Sequence, residues 1–205
     1  MSPRPYRLGQ RQANTEQTRS RIIATTRELL MTHDGFTHFS IELVARQADV
    51  ARMTVYHQFG SKIGLLEALC DSLAANGGMA QVAGTFQLPE PRDALKQYIT
   101  IFGHFWHADR LVTRRLRALA GLDPEFEQVI HSRDERRRRG VGVLVARIQE
   151  RYGYPPPEKA EEAIDVLFTL TSFECFDSLA GKTRNPEEVA PLVYKLAWIT
   201  LEQLS

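Results

Sequence analysis

A chain of 205 residues, 43% hydrophobic and 25% charged, has the composition of a folded globular protein, which excludes a disordered or fibrous chain and leaves room for one small domain fused to a larger one. No apolar run approaches the roughly 20 residues that span a bilayer and no secretory stretch opens the chain, so no membrane partner and a cytoplasmic location are expected. The net charge of +1 hides a division: residues 1–62 hold nine Lys and Arg against five Asp and Glu, a net +4, and the remainder stands at −3, a basic head whose natural partner is an anion.

In chain order, residues 1–15 carry Pro3, Pro5, Gly9 and the arginines Arg4, Arg7 and Arg11. They read as a flexible basic arm, either a frayed terminus or a reach toward phosphates. Residues 15–33 set Ile22, Thr26 and Leu29, with Ile23 and Leu30 beside them, at helical separations, and Gly35 stops that helix. Phe36 and Phe39 anchor a connector. Ser40 caps a second helix over 41–48, in which Ile41, Val44, Ala45 and Ala48 form one narrow apolar face. Asp49 is a turn residue that tolerates a left-handed backbone. A third short helix over 51–59 turns Val50, Val55 and Phe59 inward and leaves Arg52, Thr54, Tyr56 and His57 outward. Gly60 breaks it, and Ser61 caps a fourth helix over 62–76 that offers Leu65, Leu66 and Leu69 for packing.

After a Gly-rich stretch over 77–91, helices are predicted over 92–107, 110–121, 124–152, 157–181 and 186–204. Pro124, Pro157 and Pro186 stand where helices begin, and Gly121, Gly153 and Gly181 where they end. No segment alternates as a strand would. The fold class is therefore all-α, with about nine helices.

Two short helices joined by a tight turn have a specific physical use, since one can brace across the phosphate backbone while the other enters the major groove. The run from Phe39 to Lys62, with Val44-Ala45 and Ala48 in the brace helix, Thr54-Val55-Tyr56 in the next and Phe59-Gly60-Ser61-Lys62 at the exit, closely resembles the DNA-binding signature of the tetracycline-repressor (TetR) family. The resemblance implies a helix-turn-helix domain over 16–66, a helical effector-binding and dimerisation domain over 67–205, and a homodimer on a palindromic double-stranded DNA operator. It implies that Arg52 and Thr54 approach bases or adjacent phosphates and that Tyr56, His57 and Lys62 hold the backbone. Ser40, Thr18 and Arg19 would hold further phosphates. Asp49 and Ala51 depart from the family pattern, which usually has Gly at the first and often Ser at the second.

In the body, the last two helices carry apolar residues on more than one face, more than a single packed neighbour requires. A dimer interface is expected there, from Ile164, Leu167, Leu170 and Thr171 on one helix and Val189, Val193, Leu196 and Thr200 on the other, with Leu192 and Ile199 alongside. The aromatics Tyr98, Phe102, Phe105 and Trp106, with Phe126, Phe168, Phe173 and Phe176, fall on helices that in the TetR family surround a ligand cavity, so an apolar or amphipathic small-molecule effector is expected. Four successive arginines, Arg136 to Arg139, fan around a helix instead of forming one surface, and they are expected to pair with Asp134, Glu135 and neighbouring acidic helices. His104, His107 and Asp109 lack the fourth ligand of a metal site. Cys70 and Cys175 show no disulfide or metal spacing. With no nucleophile-base-acid set and no phosphate-binding loop, no cofactor, metal or catalytic residue is expected. A regulator responding to a protein partner or to oxidation stays open beside the ligand-released repressor, as does, more remotely, a helical enzyme.

Overall fold

The computed structural model describes the backbone of residues 4–204 and the side chains of residues 12–204. Twelve α-helices, two 3-10 turns and no strand occur among the described residues. The all-α class holds, with three more helices than the nine expected. By compactness the chain forms two units, Met1–Ser72 with Arg114–Phe126, and Leu73–Thr113 with Glu127–Ser205. The boundaries expected from the sequence are 15/16 and 66/67; the two units divide inside three helices.

In the first unit, α1 (Arg4–Met31) begins well before residue 15, with Pro5 in its first turn, where a missing amide costs nothing. The side chains of Arg4, Arg7 and Arg11 lie outside the described residues. Gly35 does not end α1. It sits inside α2 (His33–Thr37), which Thr32 caps by accepting from the Gly35 amide at 3.1 Å. A Cβ on Gly35 would stand 2.3 Å from the Leu29 carbonyl oxygen, so the residue is there for close approach. Ser40 caps α3 (Ile41–Gln47) as expected, accepting from the Leu43 amide at 3.2 Å, a bond of about 1 kcal/mol.

The turn into α4 (Arg52–Phe59) is made by Asp49 at φ 51°, with the Val50 amide returning to the Ala45 carbonyl at 3.0 Å, the closure that lets a helix end on a left-handed residue. Asp49→Val is expected to lower stability by roughly 1–2 kcal/mol because a β-branched residue resists that conformation, whereas Asp49→Gly leaves it nearly unchanged. Equal denaturation midpoints for Asp49→Val and the parent would contradict this turn. Ile22, Ile41, Val44, Ala45, Ala48, Val55 and Leu65 close into one core, with Leu65 supplied by α5 (Lys62–Asn76).

The second unit is built from α6 (Val82–Thr85), α7 (Pro91–Ala108), most of α9 (Pro124–Tyr152), α10 (Ala160–Leu170), α11 (Phe173–Ala180) and α12 (Pro186–Gln203), while α8 (Arg110–Ala120) straddles the division. α12 packs on α7, α10 and α11. The single helix predicted over 157–181 is two, because Thr171 and Ser172 compete for the backbone. The Thr171 hydroxyl donates back to the Leu167 carbonyl at 2.8 Å, and Ser172 restarts the chain by accepting from the Cys175 amide at 3.1 Å. The Thr171 carbonyl released by the break accepts from the Trp106 indole at 3.1 Å. Asn185 and Glu188 form a reciprocal capping box on α12, each bond 3.0 Å.

Arg137 is the buried member of the arginine run. It donates to Asp134 at 3.2 Å, to the Thr171 hydroxyl at 3.0 Å and to the Phe168 carbonyl, with its guanidinium 4.0 Å over the Phe168 ring. Arg138 reaches Asp165 and Glu161 at 2.6 and 3.1 Å, and Arg136 and Arg139 are exposed. The four arginines do fan around α9. No helix among the described residues is long and apolar enough to cross a membrane.

Candidate functional site

The α3–α4 corner presents one face outward. Val55, wholly buried, holds the back of α4 against the core, and Tyr56 and Phe59 lean on the same core from its edge. Arg52 and His57 are exposed, and Thr54 is half-buried. α4 starts without a side-chain cap, since Ala51 has none to give; the Thr54 amide turns back to the Ala51 carbonyl at 2.8 Å, which leaves the amides of Arg52 and Met53 for an external acceptor. Arg52 is engaged inside the chain. Its guanidinium stands 2.8 Å from the Glu42 carboxylate and donates to the Tyr56 hydroxyl at 3.2 Å; first that hydroxyl and then Glu42 hold its pKa above the ordinary value.

Lys62 sits half-buried at the start of α5, its ammonium 5.7 Å from the Phe39 ring, so apolar contact steadies the stem while the charge stays near the surface. Ser40 stands at the start of α3, the neighbouring brace helix. Two expected phosphate ligands are placed differently. Arg19 donates to the Gln58 carbonyl at 2.7 Å and lies 4.4 Å over Phe59, which ties α1 to the last turn of α4 and complements that helix end. Thr18 returns its hydroxyl to the Asn14 carbonyl at 2.9 Å. Met53, which the sequence pattern does not single out, is 60% exposed on α4.

In the second unit the expected pocket aromatics are packed core. Tyr98, Phe102, Trp106 and Phe173 pack in succession, tilted or edge-on, with centroids 4.8, 5.8 and 5.7 Å apart, Phe105 joins Trp106 at 4.5 Å, and Phe176 is wholly buried among them. Burial raises the Tyr98 pKa strongly, so its hydroxyl stays protonated and donates to the Arg137 carbonyl at 3.0 Å. Phe168 lies half-buried under the guanidinium of Arg137, and Phe126 is buried but belongs to the first unit.

A cleft of about 500 Å³ opens elsewhere in the second unit, lined by Gly77, Gly78, Gln81, Thr100, Ile101, His104 and Glu187. On its wall, His104 Nδ1 lies 2.5 Å from the Glu187 carboxylate. Cys175 is half-buried, and burial pushes its thiol up in pKa, away from the reactive thiolate.

Of the residues expected at a dimer interface, Leu167, Thr171, Val189 and Val193 are wholly buried in the chain's own core, because they lie on the helix faces turned inward. Ile164, Leu170 and Thr200 are half-buried and Leu196 is exposed. Leu192, Leu196 and Ile199 form the outward apolar row of α12, at 37%, 38% and 43% exposure.

The sequence pattern described as bacterial regulatory proteins, tetR family, matches residues 22–69, the segment that holds the α3–α4 corner. Among solved structures, the fatty acid degradation regulator FadR from Bacillus halodurans superposes with a TM-score of 0.70 at 17% identity, over 88% of this chain and 94% of that one. The TetR family regulator PfmR from Thermus thermophilus gives 0.65 at 21%, over 86% and 96%. A transcriptional regulator from Saccharomonospora viridis, solved in complex with choline, gives 0.68 at 16%, over 91% and 98%. No curated protein matches the chain by sequence. Residues 22–69, which hold the helix-turn-helix, match the pattern of the tetR family of bacterial regulatory proteins, and the chain as a whole shares its fold with solved transcriptional regulators.

Proposed function

We propose that the protein is a homodimeric repressor, released from a palindromic operator by a small-molecule effector. Each α4 enters a major groove, with Thr54 at the base edges. Tyr56, His57 and Lys62 hold phosphates, together with the open amides of α4 and the Ser40 end of α3. The observation that carries this reading is the α4 face itself, with Arg52, Met53 and His57 outward on a helix pinned from behind by Val55. Arg19 acts from inside, steadying the end of α4, and Thr18 touches DNA only if its hydroxyl leaves Asn14. The row Leu192, Leu196 and Ile199 makes the two-fold contact.

The cleft holding His104 and Glu187 is the effector site. Its volume of about 500 Å³ lies within the range of small-molecule pockets, and the side chains of Gln81, Thr100, His104 and Glu187 beside Ile101 suit an amphipathic molecule. The choline held by the Saccharomonospora viridis regulator supports a small-molecule effector. Release requires the effector to bind the operator-free arrangement more tightly than the operator-bound one.

Selection from a random duplex pool tests this reading. It should enrich a two-fold sequence whose half-site centres lie about 34–36 Å apart, one turn of DNA. Lys62→Ala should weaken binding to every duplex alike and lower the slope of log affinity against log salt by about one. A pool without enrichment, or an unchanged slope, would count against it.

A further inference from the structure

We propose that Met53 is a specificity-determining residue that reads the C5-methyl group of thymine in the operator, while Arg52 is withheld from base reading. This rests on the reading of α4 as the helix that enters the groove. Met53 is the second residue of α4 and is 60% exposed, although Val55, two residues on, is wholly buried. A large apolar side chain exposed at the N-terminal end of such a helix gains by burial against an apolar group in the groove, and the N-terminal residues of a groove-entering helix are the ones that meet base edges.

Its neighbours share the same chemistry. Ala51 is exposed and offers a methyl group, and Thr54 offers a methyl beside its hydroxyl. Arg52 is the one Lys or Arg of α4, and it is the residue that would otherwise pair with guanine. Its guanidinium is spent on Glu42 at 2.8 Å and on the Tyr56 hydroxyl at 3.2 Å, and lies 5.3 Å over the Tyr56 ring. Glu42, half-exposed on α3, offsets the positive charge at this corner, so the tip of α4 presents apolar groups without a free cation. Among the base edges of the major groove only thymine carries a methyl group. Met53 has the length and the flexible thioether to settle on it, and Arg52 instead steadies Tyr56.

The test uses the full chain and the duplex it selects from a random pool, remade with single thymines replaced by uracil, which deletes the methyl group and leaves the pairing intact. At one or two positions in each half-site, uracil should weaken binding of the parent protein about fourfold, the worth of one buried methyl group. Met53→Leu should keep that discrimination. Met53→Ala, a change at an exposed position that leaves the core untouched, should bind the thymine and uracil duplexes equally. The proposal is overturned if uracil is neutral at every position for the parent, or if Met53→Ala still distinguishes the two duplexes. If no duplex is enriched, the DNA-binding reading itself fails, and this inference with it.

Discussion

Glutamates placed together at Leu196 and Ile199 are expected to turn the protein into a monomer and to weaken operator binding at least about a hundredfold, because the second head then no longer adds to the first. α12 buries one apolar face, through Val189, Ala190, Val193, Ala197 and Leu201, against its own chain. It carries a second, through Leu192, Leu196 and Ile199, in water. These three follow one another at four and three residues, so they form a continuous strip that a two-fold partner can cover with its own copy. Two buried carboxylates facing two more across the axis would be neither paired nor solvated. Sedimentation together with duplex titration reads both effects. A double variant that remained dimeric would place the interface elsewhere.

Replacing Arg137 by alanine is expected to cost about 3–5 kcal/mol of stability, the scale for losing one partner of a buried charged network. The side chain, 4% exposed, holds Asp134, the Thr171 hydroxyl and the Phe168 carbonyl at once. The last two lie at the α10–α11 break, where the backbone has already given up part of its own bonding. Removing the guanidinium takes a donor away from a carboxylate and from a carbonyl. Chemical denaturation measures the loss, and a change below about 1 kcal/mol would show that the network is dispensable.

The exposed strip of α12 marks where the sequence stops being legible. Local chemistry is readable: Ser40 and Ser61 cap the helices that they precede, Asp49 takes the left-handed turn, and the spacing of Ile41, Val44, Ala45 and Ala48 does form one buried face. Each of these depends on residues within a turn or two. What depends on the tertiary partner is not readable. The apolar residues of α12 divide between two faces, and periodicity alone does not say which face meets the chain's own core, so Val189 and Val193, expected outward, lie inside. Arg19 has the position of a phosphate ligand in sequence, but Gln58 and Phe59 come within its reach in the fold. The aromatic set suggests a cavity and builds a packed core, because rings at helical spacing fill space as readily as they line it. Gly35 resembles a stop signal, and its role is set by the Leu29 carbonyl above it. The break at Thr171 and Ser172 does carry a signal, two adjacent hydroxyl residues inside a long apolar pattern, since such side chains favour caps and turns over helix interiors.

The central claim is that two copies of α4 read one duplex. The most direct measurement is a titration of a labelled, selected duplex with the full chain at physiological ionic strength, against a large excess of bulk DNA, with the stoichiometry read at saturation. Retained binding with two chains on each duplex, falling steeply as salt is added, is the expected result. Binding that bulk DNA removes, or a single chain at saturation, would contradict the claim.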